Sequence, residues 1–139
     1  MNTTLELLKI KAELTFKKIN MIKENEVIEL LGNEFPAINN EFERTANFGN
    51  IYKAMQCFAD FTKQLIKKGN FKEVKHCFVV AEKMLQNGNG TVKNAIENGY
   101  LFSVSTIIDI ASPVSQKVKS LLTDALKKEY NRQGCSSGI

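Results

Sequence analysis

Gly69-Asn70 and Gly88-Asn89 lie nineteen residues apart, and each follows a pair of apolar residues, Leu65-Ile66 and Met84-Leu85. A glycine just past the last apolar position of a helical pattern takes the left-handed conformation that ends a helix. An asparagine after it can cap the next one. Between these corners the apolar residues recur at helical spacing. Ile51, Ala54, Met55, Phe58, Thr62, Leu65 and Ile66 form one stripe, with Thr62 as its weak member. Val74, Cys77, Phe78, Ala81, Met84 and Leu85 form the next. A third runs through Val92, Ala95, Ile96, Leu101, Val104 and Ile108. Helices joined by so short a turn lie antiparallel and share a seam. At the first corner Asn70 and Glu73 have capping-box spacing, so Glu73 is expected to reach back to the Asn70 backbone.

The flanking sequence extends the pattern. Thr3 and Glu6 open a first helix with the stripe Leu5, Leu8, Ala12, Phe16 and Ile19, widened by Leu7, Ile10 and Leu14. A shorter helix from Glu24 to Leu31 is closed by Gly32-Asn33, a third pair of the same kind. Pro36 suits the first turn of a short helix through Phe42, anchored by Phe35 and Ile38. Thr45 to Gly49 read as loop. Asn98-Gly99 interrupts the third stripe, where glycine costs about 1 kcal/mol relative to alanine. Close approach of a neighbouring backbone is the plain explanation; a bend exposing Tyr100 is the sharper one. Ser112 and Pro113 restart the chain as N-cap and N1 of a last helix, with Val114, Val118, Leu121, Leu122, Ala125 and Leu126 on one face. This pattern fades by Tyr130. The expected architecture is all-α, with five to six helices in consecutive antiparallel hairpins, as a bundle or short solenoid. One domain spans residues 1–130, and a disordered tail covers 131–139.

Charge is divided unevenly along the chain. Residues 1–50 carry six bases and eight acids, and residues 51–139 carry thirteen bases and seven acids. Six glutamates and no base lie between Glu24 and Glu43, whereas five lysines face only Glu73 between Lys63 and Lys75. The ordinary reading is solvated helix faces. The alternatives are a surface that steers a charged partner, or two regions of the chain that face each other.

Three cysteines do not make a disulfide framework, and no secretory leader or membrane-length apolar run is present, so a reducing cytoplasm is the default. Cys57 and Cys77 are about five residues out of register across the Gly69 turn, roughly 7 Å along the axis. Both sit on apolar stripes and read as small buried hydrophobes. Cys135 lies in the tail, where exposure is expected, and is too far from the end for a prenylation box.

The sequence holds little chemistry. His76 is the single histidine; Glu73 precedes it by three residues and can orient its ring, but Cys77 points about 100° away round the helix. No metal-ligand spacing and no phosphate loop occurs, so no cofactor, metal or catalytic residue is expected.

Two further sequence features bear on family. Residues 34–38 read Glu-Phe-Pro-Ala-Ile, and residues 78–104 read FVVAEKMLQNGNGTVKNAIENGYLFSV. This Phe-x3-Glu, Leu, Asn-Gly turn and Val-x-Asn succession resembles an uncharacterised all-helical bacterial domain family, over about residues 27–128. The resemblance implies an all-helical fold and no established activity. Phe102 stands where the family pattern has an acidic residue.

The function expected from all this is a non-enzymatic cytoplasmic protein-interaction module, of adaptor or immunity type. Its candidate surface comprises Glu24, Glu26, Glu29 and Glu34 on the acidic side and Lys67, Lys68, Lys72 and Lys75 on the basic turn. A weak nucleic-acid binder using the basic turn at 63–75 is the alternative, disfavoured because arginine occurs only at 44 and 132 and tryptophan is absent.

Overall fold

A computed structural model describes residues 4–11, 21–39, 50–110 and 112–137. Among these residues the fold is all-α, without a β-strand. After the helical residues 4–11, seven α-helices follow in order: α1 Glu24–Glu34, α2 Ile51–Lys67, α3 Phe71–Asn87, α4 Gly90–Ala95, α5 Phe102–Ile108, α6 Pro113–Leu121 and α7 Asp124–Ser137. A π-helical turn, Ile96–Leu101, joins α4 to α5 in one continuous rod, and a 3-10 turn, Pro36–Ile38, follows α1. The count exceeds the expected five to six because the π turn divides the third stripe and a corner at Leu122-Thr123 divides the last.

The three central stripes are the core. Every apolar residue named in them is buried, and so is Thr62. The Gly69 corner is a full Schellman turn. Gly69 has φ +72°, its N–H donates to Ile66 O and the Asn70 N–H donates to Leu65 O, both at 3.0 Å. The Asn70 side chain accepts from Glu73 N at 3.4 Å, while the expected return bond from Glu73 is not made.

Gly88 works differently. It ends α3 with φ −74° and ψ 157°, a conformation open to any residue. What it supplies is room: a Cβ there would collide with Met84 O and lie 2.5 Å from Val92 Cγ1. Asn89 then caps α4 by accepting from Val92 N at 3.0 Å. Gly32 differs again. It is buried inside α1, which continues to Glu34 rather than closing at Gly32-Asn33, and a Cβ there would strike the Asn39 amide. Three similar dipeptides therefore answer three separate constraints and do not make a repeat.

The π turn corrects the reading of Asn98-Gly99. The chain does not bend Tyr100 outward; Tyr100 is fully buried and stacks on Phe58 at 4.3 Å and 15°. Its hydroxyl donates to Thr62 Oγ1 at 2.9 Å, and Thr62 donates to Phe58 O at 2.9 Å. Gly99 admits the Met55 side chain, whose Cβ would be 3.3 Å from an added methyl. The close neighbour is thus a side chain, not a backbone.

α1 lies across the α2–α3 hairpin. Ile22 is clamped to the end of α3, donating to Asn87 O and accepting from Asn89 N, both at 2.9 Å. At the other end Phe35 packs on Phe58 and Phe61, at 5.4 and 5.5 Å between ring centres. Residues 4–11 are helical as expected, but Leu5, Leu7, Leu8 and Ile10 are exposed rather than packed. None of these four side chains belongs to the described core or packs on it. The rest of the first stripe (Ala12, Leu14, Phe16 and Ile19), the Thr3 cap, the segment to Phe42 and the Thr45–Gly49 loop lie outside the described residues, as does the Cys135 side chain.

Ser112 and Pro113 start α6 as expected, with Ser112 and Ser115 capping one another at 3.0 and 3.1 Å. The last helix continues beyond Tyr130 to Ser137, and Gln133 Nε2 ties this extension to Glu97 O of the π turn at 2.8 Å.

Candidate functional site

Burying one face of α3 leaves another outward. Lys72, Lys75, His76, Val79 and Lys83 follow one another at steps of three or four residues, or as neighbours, so they share that face. With Glu34 from α1 and Val80 they line a groove of ≈ 440 Å³. Glu34 closes it from the side: its carboxylate meets His76 Nε2 at 3.0 Å, and the His76 ring rests edge-on against Phe35, 4.9 Å between centres. The partner of His76 is therefore Glu34, not Glu73. The α1 C-terminus carries no base in its last turn, so Glu34 sits at the negative end of a helix dipole without local compensation. The imidazole of α3 offers a donor there.

A second cleft, ≈ 310 Å³, adjoins the groove along α1 and is lined by Ile22, Glu26, Glu29, Leu30, Asn33 and Lys83. Lys83 borders both. All eight residues of the expected charged surface are exposed. Glu34, Lys72 and Lys75 come together in the groove, and Glu26 and Glu29 line the adjoining cleft. Glu24, Lys67 and Lys68 line neither. Lys75 also has structural work, donating to Leu121 O at the end of α6 at 3.1 Å. Among the described residues, Lys72, Lys83 and Glu29 make no hydrogen bond or ion pair with their side chains.

Lys83 and Val79 were missed as surface residues by sequence reasoning, and Val80 as a buried one. The signal was present: the period that marks the buried stripe of α3 also marks its opposite face, and Val79 is an apolar residue there, 51% exposed.

The groups with nucleophilic chemistry lie elsewhere. Cys77 is fully buried, and burial pushes its thiol up to about 12. Burial likewise holds the Tyr100 phenol well above its ordinary range. An activated thiol shows the opposite shift. Cys57 and Cys77 form no disulfide. Among the described residues no group of three His, Cys, Asp or Glu could hold a metal ion, and no helix is long and apolar enough to cross a membrane. A smaller cleft, ≈ 270 Å³, opens over the π turn between Asn98, Phe102, Asp109 and Tyr130. Its polar groups are engaged: Tyr130 donates to Asp109 at 2.6 Å, and Arg132 is held by Glu129 outside the cleft.

No curated protein and no solved structure matches the chain. The model of a family described as a domain of unknown function, DUF7674, matches residues 28–136, from within α1 to the end of α7, and the chain belongs to that family.

Proposed function

We propose that this chain is a cytoplasmic protein-interaction module, of an adaptor or immunity type, which performs no chemistry of its own and docks its partner on the outer face of α3. The observation that carries this reading is convergence. Acidic and basic segments forty residues apart in sequence line adjoining clefts on one face, with Val79 exposed between charged groups. An apolar residue ringed by charge is the usual composition of a docking patch. The nucleic-acid alternative loses support from the same arrangement, because Glu34, Glu26 and Glu29 stand beside the lysines that phosphates would approach.

The test compares proteins retained from native cytoplasm by the wild-type chain and by Lys72→Glu/Lys83→Glu. Neither lysine makes an internal bond, so the variant keeps its fold, checked by circular dichroism. At least one protein, the chain itself counted, should be retained by the first and lost from the second. Identical retained sets would overturn the reading.

A further inference from the structure

The groove sets a condition on whatever fills it. Its floor is basic, through Lys72, Lys75 and Lys83, and the α1 side is acidic, through Glu34 at its wall and Glu26 and Glu29 in the adjoining cleft. A uniformly acidic peptide or a nucleic acid satisfies the floor and is repelled by the wall. The occupant must place anions over α3 and cations over α1, at the same level along the helices.

We infer that the occupant is a second copy of this chain, docked face to face so that α1 of each copy lies in the α3 groove of the other. This inference rests on the docking reading above and names its partner. The registration of α1 supports it. Ile22 is bonded to Asn87 and Asn89, and Glu34 meets His76, so α1 runs antiparallel to α3 and level with its residues 76–88. A two-fold axis running along the groove between α1 and α3 keeps every residue at its own level and exchanges the sides. Lys83 of one copy then faces Glu26 and Glu29 of the other, and Lys72 and Lys75 face Glu34. Each charge row meets its opposite twice, as an isologous interface requires. Val79 lies beside the axis, where the two copies cover one another's exposed side chain. A two-fold axis across the helices would instead set like charges against each other, so the arrangement also fixes the orientation.

Charge exchange tests it. Lys72→Glu/Lys83→Glu leaves both rows net acidic, and Glu29→Lys/Asn33→Lys cancels the acidic row, so that no net opposite charge faces the basic one. None of these four side chains makes a hydrogen bond or ion pair among the described residues. Sedimentation equilibrium of the full chain should give a dimer at low ionic strength that weakens as salt rises. Each variant alone should dissociate at a concentration about tenfold or more higher. Mixing the two variants one to one should restore a dimer containing one of each. A wild-type chain that stays monomeric, or variants that dimerise as the wild type does, would overturn the inference. Loss of a different protein from the Lys72→Glu/Lys83→Glu chain in the retention experiment would then leave the docking reading standing.

Discussion

Replacing Gly69 and Gly88 by the same two residues should give opposite rankings. At Gly69 the backbone is left-handed, φ +72°, and an added Cβ meets nothing within 4 Å. The cost of Gly69→Ala is therefore conformational, roughly 1–2 kcal/mol for an L-residue in that region. Reduced freedom of the unfolded chain offsets about 0.4–1 kcal/mol of it. The expected net loss is about 1 kcal/mol, or about 3 °C in Tm for a chain of this size. Asparagine tolerates left-handed backbone, so Gly69→Asn should lose less. At Gly88 φ is −74°, which suits alanine, but the added Cβ overlaps Met84 O and lies 2.5 and 2.8 Å from Val92 Cγ1 and Cβ. The Ile22 clamp on either side keeps the corner from yielding. Overpacking of this kind costs about 1–3 kcal/mol, and the larger asparagine should be worse than alanine. Urea unfolding followed by circular dichroism, with m unchanged, gives the four values. Val92→Ala should recover on the order of 1 kcal/mol of the Gly88→Ala loss while adding independently to Gly69→Ala. The same ranking of alanine and asparagine at both corners would refute the distinction between a corner set by φ and a corner set by space.

Two further outcomes follow from buried or partly buried polar groups. Thr62→Val strands the Tyr100 hydroxyl in the core and should cost about 1–3 kcal/mol, but much less when Tyr100→Phe is already present, as urea unfolding of the cycle will show. Burial and the neighbouring Glu129 push the Glu97 carboxyl above its ordinary range. A folded-state pKa raised in this way contributes stability below the unfolded pKa and loses it as pH rises through the folded one. Glu97→Gln should therefore raise Tm at about pH 7 and leave it nearly unchanged at about pH 3, and an equal rise at both would contradict the assignment.

The three central helices were legible because their burial is periodic, and every residue named in the three stripes is buried. Even the π turn left a trace: the third stripe steps five residues from Ile96 to Leu101, where an α-helix steps three or four. What the stripe omitted was Tyr100, because a residue with a hydroxyl beside Gly99 looks like a surface residue until Thr62 supplies its partner. The site was half legible. Runs of like charge found Glu26, Glu29, Glu34, Lys72 and Lys75, since composition shows local excess. Composition does not show which runs meet, and that depends on the Ile22 clamp and the Phe35 anchor, both long-range. It is also why Glu34 displaced Glu73 as the partner of His76.

The corner between α6 and α7 carries the same lesson to a single residue. Thr123 precedes α7 and has the side chain of an N-cap, whose oxygen normally accepts from the second and third helical N–H groups. Those donors belong to Ala125 and Leu126, and both instead go to Glu82 Oε1 of α3, at 2.5 and 3.4 Å. The Thr123 hydroxyl is left buried without a partner. The carboxylate wins because it is charged and faces the positive end of the helix, which is worth about 0.3–1 kcal/mol beyond a neutral bond. Thr123→Ala should then change stability by less than about 0.5 kcal/mol, since it breaks no bond. Glu82→Ala should cost about 1 kcal/mol, because Thr123 can turn to take the vacated donors. The double variant loses both acceptors and should cost more than the two single losses together, by roughly 0.5–1 kcal/mol. Additive losses would mean that Thr123 holds no cap in reserve, and that α7 is fixed to α3 by packing of Leu126 rather than by the charge of Glu82.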